Sequence, residues 1–583
     1  MICACEYCFY NDFAFTKLLE IRRTNAEILK PKEVSKHNKW VSDGLEDEIP
    51  KWHHQNPVFI SAQTGSGKNH FIVEKLLPYA VEHRQRVFIF SNRIALSTQQ
   101  KRIILRKLSI ADIYSDDELK DIQDFGYVTI ATYQSALNIL GNYDSNRPIG
   151  SRIDDPFPRS GYVIFDEAHF FLSDSLFNAQ TDAILRQLIF SFSGFVRIYL
   201  SATPERVIPI INTYELSNES KDKVIYSDMR YSNYARNNDR AMIVYNFPRN
   251  YSDYRVQFFT DFEHLYEKIA KATSNNKWLC FINNRNRQRS IKAALEARNS
   301  KLKIDCFDSS KKDNNTLWNA LIQGKIPNQI LLTTIALDNG INLTDSAIHN
   351  IVVESLDKIS LLQMIGRKRR SEGETINLFI HVPSEAEVRK QLYNVMDLMK
   401  FLGNFQQNGF GFLRQKWPVF HEKYRNLFYV YYNKDYGDLL AYNHLASHEL
   451  SYLCEFFNNL LLQIQNAKAP VETRNVYPKM VLEWLSLMQD IEWVESDKSK
   501  VAIESLISLL EAYRCDGIPK NEHDEFFQEF KKYADIIGGS PIKADARSGP
   551  KITSTFLKEH ERELHAKYRI EGKGTWKITK EDL

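Results

Sequence analysis

Cysteine is scarce, at seven in 583 residues, too few for a disulfide scaffold in a chain this long. Cys3, Cys5 and Cys8 form a C-x-C-x-x-C cluster with no fourth ligand nearby. Free thiols in a reducing cytosol are therefore the better reading than a zinc site. Net charge is scarce too: 76 Lys and Arg stand against 73 Asp and Glu, giving +3. That balance exerts no global pull on nucleic acid, so any basic surface must be local. No apolar run approaches the ~18 residues of a membrane span. Glu6 and Asp12 stand where a secretory leader would be basic. A cytoplasmic protein without membrane contact is expected.

What is present is globular. Hydrophobic residues make up 43% and charged residues 26%, which excludes wholesale disorder and a fibrous fold. Aromatics at 12% supply large cores, and at ~100–200 residues per domain the length predicts roughly three to five domains. Residues 1–50 read as an N-terminal extension with a helix around Phe13–Leu29. From Val58 short apolar runs alternate with helical stretches: Val58–Ala62, Val87–Phe90, Val128–Ala131, Tyr162–Phe165 and Arg197–Leu200. Continuous apolar strands spaced by helices predict a parallel sheet covered on both faces. The first such domain is expected over 51–215, followed by a polar connector over 216–240. A second set, Lys277–Ile282, Ile304–Phe307, Gln329–Leu332, Ile348–Val353 and Ile376–Ile380, predicts another α/β domain over 241–385. Helical spacing then dominates 386–545. Residues 546–583 read as a helix plus basic hairpin, either a winged-helix-like end or a cap on the helical domain. The fold class is α/β, with two parallel-sheet domains followed by a mainly α-helical region.

Thr64-Gly65-Ser66-Gly67-Lys68-Asn69 follows the first strand and opens a helix. Glycines let backbone N–H groups wrap a phosphate chain, and Lys68 reaches its outer oxygens at a positive helix terminus. Asn69 stands where Ser or Thr ordinarily ligates Mg²⁺, and its amide oxygen is a legitimate hard ligand. Asp166-Glu167-Ala168-His169 follows a strand directly, at the sheet edge where nucleotides bind. There Asp166 can hold Mg²⁺ and Glu167 can polarise an attacking water. Ser201-Ala202-Thr203 ends the last strand and can bond the acidic motif. Gln363-Met364-Ile365-Gly366-Arg367-Lys368-Arg369-Arg370 reads as a helix, on which the spacing of three puts Arg367 and Arg370 on one face. Such arginines stabilise transition-state charge by ~10³–10⁵ in rate, whereas Lys368 and Arg369 suit a nucleic-acid patch or a solvated face. The stretch Thr333–Asn342 suits a loop touching both nucleotide and backbone phosphates. His53-His54, Asp116-Asp117 and Asp154-Asp155 lack partners at usable spacing.

In this order the motifs resemble the superfamily 2 helicases of the DEAD/DEAH-box-like kind. Gly65–Asn69 corresponds to motif I, Asp166–His169 to motif II, Ser201–Thr203 to motif III, and Gln363, Gly366, Arg367 and Arg370 to motif VI. The resemblance implies two RecA-like domains with ATP and Mg²⁺ between them. Thr64, Gly65, Ser66, Gly67, Lys68, Asn69, Gly340 and Asn342 would hold the nucleotide, and Asn69 and Asp166 the metal. Lys68, Asp166, Glu167, Gln363, Arg367 and Arg370 would act in catalysis. Asn92, Arg93, Thr132, Asn283 and Thr334 would line the nucleic-acid path, where contacts to phosphate and sugar are sequence-tolerant and salt-sensitive. Asn342 replaces the family's frequent aspartate. The function implied is an ATP-dependent helicase or translocase on single- or double-stranded nucleic acid, DNA favoured over RNA. Alternatives are a duplex-DNA motor of a restriction or defence complex, or an ATP-binding scaffold with impaired hydrolysis. The C-terminal third offers a surface for a protein partner.

Overall fold

The computed structural model describes residues 30–582, apart from 93, 109–117, 137–159, 219–240, 283, 308–314, 335–336, 338–340, 372, 417–419, 434–436, 468–469, 495–496, 538–548, 562–563, 565 and 573–574. The helix expected around Phe13–Leu29 and the terminal cysteine cluster lie outside the described residues.

The first sheet holds β1 (Lys32–Ser35), β2 (Val58–Ser61), β3 (Arg86–Ser91), β4 (Val128–Thr132), β5 (Gly161–Phe165), β6 (Val196–Ser201) and β7 (Ile243–Asn246), in the order β1-β7-β2-β6-β5-β3-β4. Every pairing in it is parallel. Alternate residues serve opposite faces. Val58 and Ile60 pack into a core with Phe71 and Leu76, while Phe59 joins Phe165, Phe192 and Tyr199 on the other side. Both faces are therefore buried, which is why these strands read as unbroken apolar runs. Two strands come from segments expected elsewhere: β1 from the extension, and β7 from beyond the connector. An Ile-Val-Tyr-Asn run suits either sheet, and pairing decides, Ile243 lying opposite both Lys32 and Val58. The first domain thus ends after Asn246 rather than before 216.

The second sheet is built from β8 (Tyr254–Phe259), β9 (Lys277–Phe281), β10 (Ile304–Phe307), β11 (Ile330–Thr333), β12 (Ile348–Val353) and β13 (Ile376–His381). Within the helical region the hairpin β14 (Phe428–Asn433) and β15 (Gly437–Tyr442) stands apart, and the short β16 (Glu492–Trp493) returns to extend the second sheet beside β8. The resulting order is β10-β11-β9-β12-β13-β8-β16, again parallel throughout.

Helix α1 begins at Lys68 and runs through Lys68–Phe71, Ile72–Leu76 and Leu77–Glu82. Helix α2 (Lys358–Gly366) is capped by Asp357, whose carboxylate accepts from Ser360 N at 2.9 Å. Helix α3 (Glu385–Gln415) starts in a Ser384–Glu387 capping box and bends at Gly409, where φ is 58°. Helices α4 (His444–Asn466) and α5 (Pro470–Trp484) complete this layer. One apolar core runs from Leu279, Phe281 and Ile351 of the second sheet into Leu402, Leu460 and Tyr477. The helical region is therefore fused to the second domain. Leu445 of α4 instead joins the core of the first.

A separate core closes the chain. Helices α6 (Asp497–Ala512), α7 (His523–Ile537) and α8 (Gly549–Glu559) pack with the hairpin of β17 (Ala566–Glu571) and β18 (Lys577–Asp582). Ile518, between α6 and α7, forms an antiparallel bridge with Trp576. This unit begins well before residue 546, inside the region expected to be one helical domain. No described helix is long and apolar enough to cross a membrane.

Candidate active site

The loop after β2 has the backbone a phosphate cradle requires. Gly65 and Gly67 have φ of 89° and 83°, the left-handed region in which glycine carries no steric cost. Ser66 Oγ closes the turn on Gln63 O at 2.8 Å. Lys68 Nζ is buried on the carbonyls of Ala62 and Gln63, at 2.8 and 3.3 Å. Burial pulls the Lys68 ammonium below its ordinary range, and Arg369 and Arg367 push the same way against Glu167 and Asp166.

The acidic turn is pinned at both ends: Asp166 N donates to Phe90 O at 2.9 Å and Ala168 N to Leu200 O at 2.8 Å. Between them Glu167 adopts φ 53°, a conformation costing about 1–3 kcal/mol in a non-glycine residue and held by its surroundings. Tyr133 Oη donates to Asp166 O at 2.8 Å from below. Burial raises the Glu167 carboxyl, but Lys68, His169, Arg367 and Arg369 together outweigh it and hold it below the usual range. Glu167 is thus kept ionised, as a group that accepts a proton from water must be.

The second domain meets this wall directly. A Cβ on Gly366 would lie 2.8 Å from Thr64 Cβ, so only glycine lets the end of α2 close over the phosphate loop. Gln363 Nε2 hydrogen-bonds His169 Nε2. On the other side of the ring, His169 Nδ1 bonds Ser201 Oγ at 3.2 Å, and Ser201 Oγ in turn accepts from Thr203 N at 3.0 Å. Motifs II, III and VI are linked through that one imidazole. From the same side, Gln63 Oε1 accepts from Asn250 N at 2.7 Å.

The two expected arginines do not share a helical face. Helix α2 ends at Gly366, and the chain then pairs with the loop before β12 through a parallel Leu343–Lys368 bridge. Side chains alternate along such a segment. Arg367 is buried near Glu167, and Lys368 is buried on Glu374 at 2.5 Å. Arg369 lies over Gly65, its Nη1 at 3.1 Å from where a Cβ there would be. Arg370 turns away to Asp253 Oδ2 at 3.0 Å and Asn250 O at 3.2 Å, over the Tyr254 ring at 4.4 Å. Arg369 is the residue the motif spacing missed; only the end of α2, signalled by Gly366, could have revealed it.

Asn69 follows Lys68 in the first turn of α1. Asn342 Oδ1 accepts from Arg369 Nε at 3.0 Å. Asn92 accepts from Gln134 Nε2 and donates to Asp174, both at 3.4 Å, which joins the ends of β3 and β4. Thr132 N donates to Ser135 Oγ at 3.1 Å at the end of β4, and Thr334 N to Phe307 O at 3.4 Å just after β11. These three residues lie at the C-terminal edges of the two sheets. Arg93, Asn283 and Gly340 lie outside the described residues. Among the described residues no three His, Cys, Asp or Glu side chains are grouped to hold a metal. Asp166 and Asn69 supply one carboxylate and one amide oxygen, a donor set that suits Mg²⁺ when substrate phosphates complete it.

Residues 18–206, which span the phosphate loop and the acidic turn, match the family model described as type III restriction enzyme, res subunit. Over these residues the chain is similar to superfamily 2 helicases. Its fold, two seven-stranded parallel-sheet domains followed by a mainly helical region, is the one the resemblance to two RecA-like domains implies. No curated protein matches the sequence. Among solved structures, Mss116p lacking its NTE and C-tail, bound to ssRNA and AMP-PNP, is 13% identical over 73% of this chain and 94% of its own, with a TM-score of 0.40. S. cerevisiae Dbp5 bound to RNA and ADP BeF3 is 13% identical over 56% and 80%, with a TM-score of 0.37.

Proposed function

We propose that this protein is a helicase-like, nucleic-acid-dependent ATPase that uses ATP hydrolysis to move along nucleic acid. The observation that carries this reading is the contact of motif VI on motifs I and II, with Gly366 against Thr64 and Gln363 on His169. A phosphate chain bound at Gly65–Lys68 would meet cations from both domains. Lys68 would bind its outer oxygens, Arg367 would bring the second domain's charge to it, and Glu167 would orient and deprotonate the attacking water. Mg²⁺, held by Asp166 and Asn69, would supply charge neutralisation to the phosphates. Closure and reopening of this interface would step the sheet edges carrying Asn92, Thr132 and Thr334 along a strand.

The test is ATP hydrolysis by the purified chain, alone and with single-stranded DNA, duplex DNA or RNA, beside Glu167→Gln. Stimulation by one polymer, lost in the variant, is expected; equal turnover with and without every polymer would sink the reading. A duplex-DNA motor that does not separate strands is favoured by the restriction-enzyme family match. It hydrolyses ATP on duplex DNA and fails to displace a strand. In the last module, the order helix, bridging residue, helix, helix, hairpin supports a winged-helix reading, and with it a nucleic-acid or protein contact in the C-terminal third.

A further inference from the structure

The run Arg367-Lys368-Arg369-Arg370 offers four cations to the interface, and three of them are committed. Arg367 is buried beside Glu167, Lys368 is buried on Glu374, and Arg370 satisfies its guanidinium on Asp253, Asn250 O and the Tyr254 ring. Arg369 differs. Its Nε donates to Asn342 Oδ1, which fixes the plane of the fork, while its Nη1 is sealed from solvent and has no hydrogen-bond partner. A buried guanidinium N–H without a partner is unfavourable, so a position like this calls for an acceptor. The backbone holds it in place: Arg369 N donates to Leu343 O at 2.7 Å, and Leu343 N to Arg367 O at 2.8 Å. The uncommitted edge lies directly over Gly65, in the turn whose N–H groups form the phosphate cradle.

We propose that Arg369, aimed by Asn342, is the residue through which the second domain grips the terminal phosphate of a bound nucleoside triphosphate, and that Arg370 is a positioning residue for the segment that carries it. This rests on the site being an ATP site. The acceptor the geometry asks for is anionic and forked, which a phosphoryl group provides and a neutral ligand does not. Burial and the neighbouring Arg367 hold the Arg369 guanidinium down to about 10, against the opposing pull of Glu167, Tyr254 and Asp166. Asn342 fits the same role: a neutral amide orients the arginine without cancelling its charge, as a carboxylate would.

The experiment compares the unaltered chain with Arg369→Ala, Arg369→Lys and Asn342→Ala. It measures steady-state ATP hydrolysis and the affinities for ADP and for ADP with beryllium fluoride, a mimic of the terminal phosphoryl group. Arg369→Ala is expected to lower kcat by about 10²–10³-fold and to reduce the preference for the beryllium fluoride complex over ADP by at least about tenfold. ADP affinity should stay within about threefold, which also shows that the first domain is folded. Arg369→Lys, which keeps charge but not the fork, should recover only part of the loss, and Asn342→Ala should fall between. An Arg369→Ala protein that hydrolyses ATP and prefers the beryllium fluoride complex as the unaltered chain does overturns the assignment and leaves the ATPase reading standing. Failure of the unaltered chain to bind any nucleotide overturns both.

Discussion

Replacing Arg206 by alanine should loosen three parts of the molecule at once. Arg206 lies in the helix after motif III, bonds Asp357 at the start of α2 at 3.2 Å, and pairs with Glu449 of α4. Its guanidinium also sits 3.5 Å from the centroid of the Tyr452 ring. The Glu449 side chain is only 7% exposed, so removing its partner strands a buried carboxylate, a change that ordinarily costs about 3–5 kcal/mol. Loss of the cation–π contact adds about 1 kcal/mol. Burial raises the Glu449 carboxyl and Arg206 opposes it, with Asp357 adding to the rise, leaving it at about 7 against the usual 4.5. With the folded value above the unfolded one, the stability this carboxyl contributes is complete below about 4.5 and is lost as pH rises through about 7. In Arg206→Ala the folded value climbs further, so the loss continues past pH 7. Urea unfolding at pH 6, 7.5 and 9 should show the variant behind the unaltered chain by roughly 1.3–2 M at pH 7.5, for an m near 3 kcal/mol/M. The gap should widen by up to about 1.4 kcal/mol per pH unit above 7. Adding Glu449→Gln should flatten that dependence. A gap that stays constant or narrows from pH 6 to 9 would refute the account.

Other substitutions test other links. Glu167→Gln should keep nucleotide affinity while lowering turnover by about 10²–10⁴-fold; a parallel loss of binding in a fluorescent-nucleotide titration would contradict the proton-accepting role. Gly366→Ala places a methyl carbon 2.8 Å from Thr64 Cβ and should cut turnover at least about tenfold without unfolding either domain, since the clash lies between them; unaltered turnover would show that closure is looser than the contact implies. Asn69→Ser, which restores a hydroxyl ligand, should lower the Mg²⁺ concentration needed for half-maximal turnover. Trp576→Ala removes a buried ring stacked 3.7 Å from His523 and should cost about 3–5 kcal/mol. Calorimetry should show one transition moving to lower temperature while basal ATP hydrolysis persists, because that core is separate.

Much of the fold was legible because parallel strands buried on both faces leave a one-dimensional signature. Ile304–Phe307 and Ile348–Val353 fall where the apolar runs put them. β1, β7 and β16 were not legible: two to four residues carry no periodicity, and their membership is settled by partners far away, as Ile243 by Val58. The phosphate loop and acidic turn could be read because local backbone geometry demands glycine and a strand end. The arginine face could not. A spacing of three has meaning only inside a helix, and Gly366 ends the helix one residue before the first arginine. Nothing near Arg370 in sequence announces Asp253, which lies more than a hundred positions away.

Helix α4 is rooted in the first domain at one end and packed into the core of the second along the rest of its length. Asn443, fully buried, donates to Ser175 O, Asn178 O and Thr181 Oγ1 of the first domain and also caps α4 by accepting from Ala446 N. The remaining turns, from Leu450 to Ile464, lie in the core shared with the second domain. At 1.5 Å per residue, the 23 residues of α4 span about 35 Å. A tilt of about 10° about the Asn443 root therefore displaces the far end by about 6 Å. Helix α4 is thus a strut held in both domains, and any rotation of one domain against the other has to be taken up either at the Asn443 root or in the packing of its far turns.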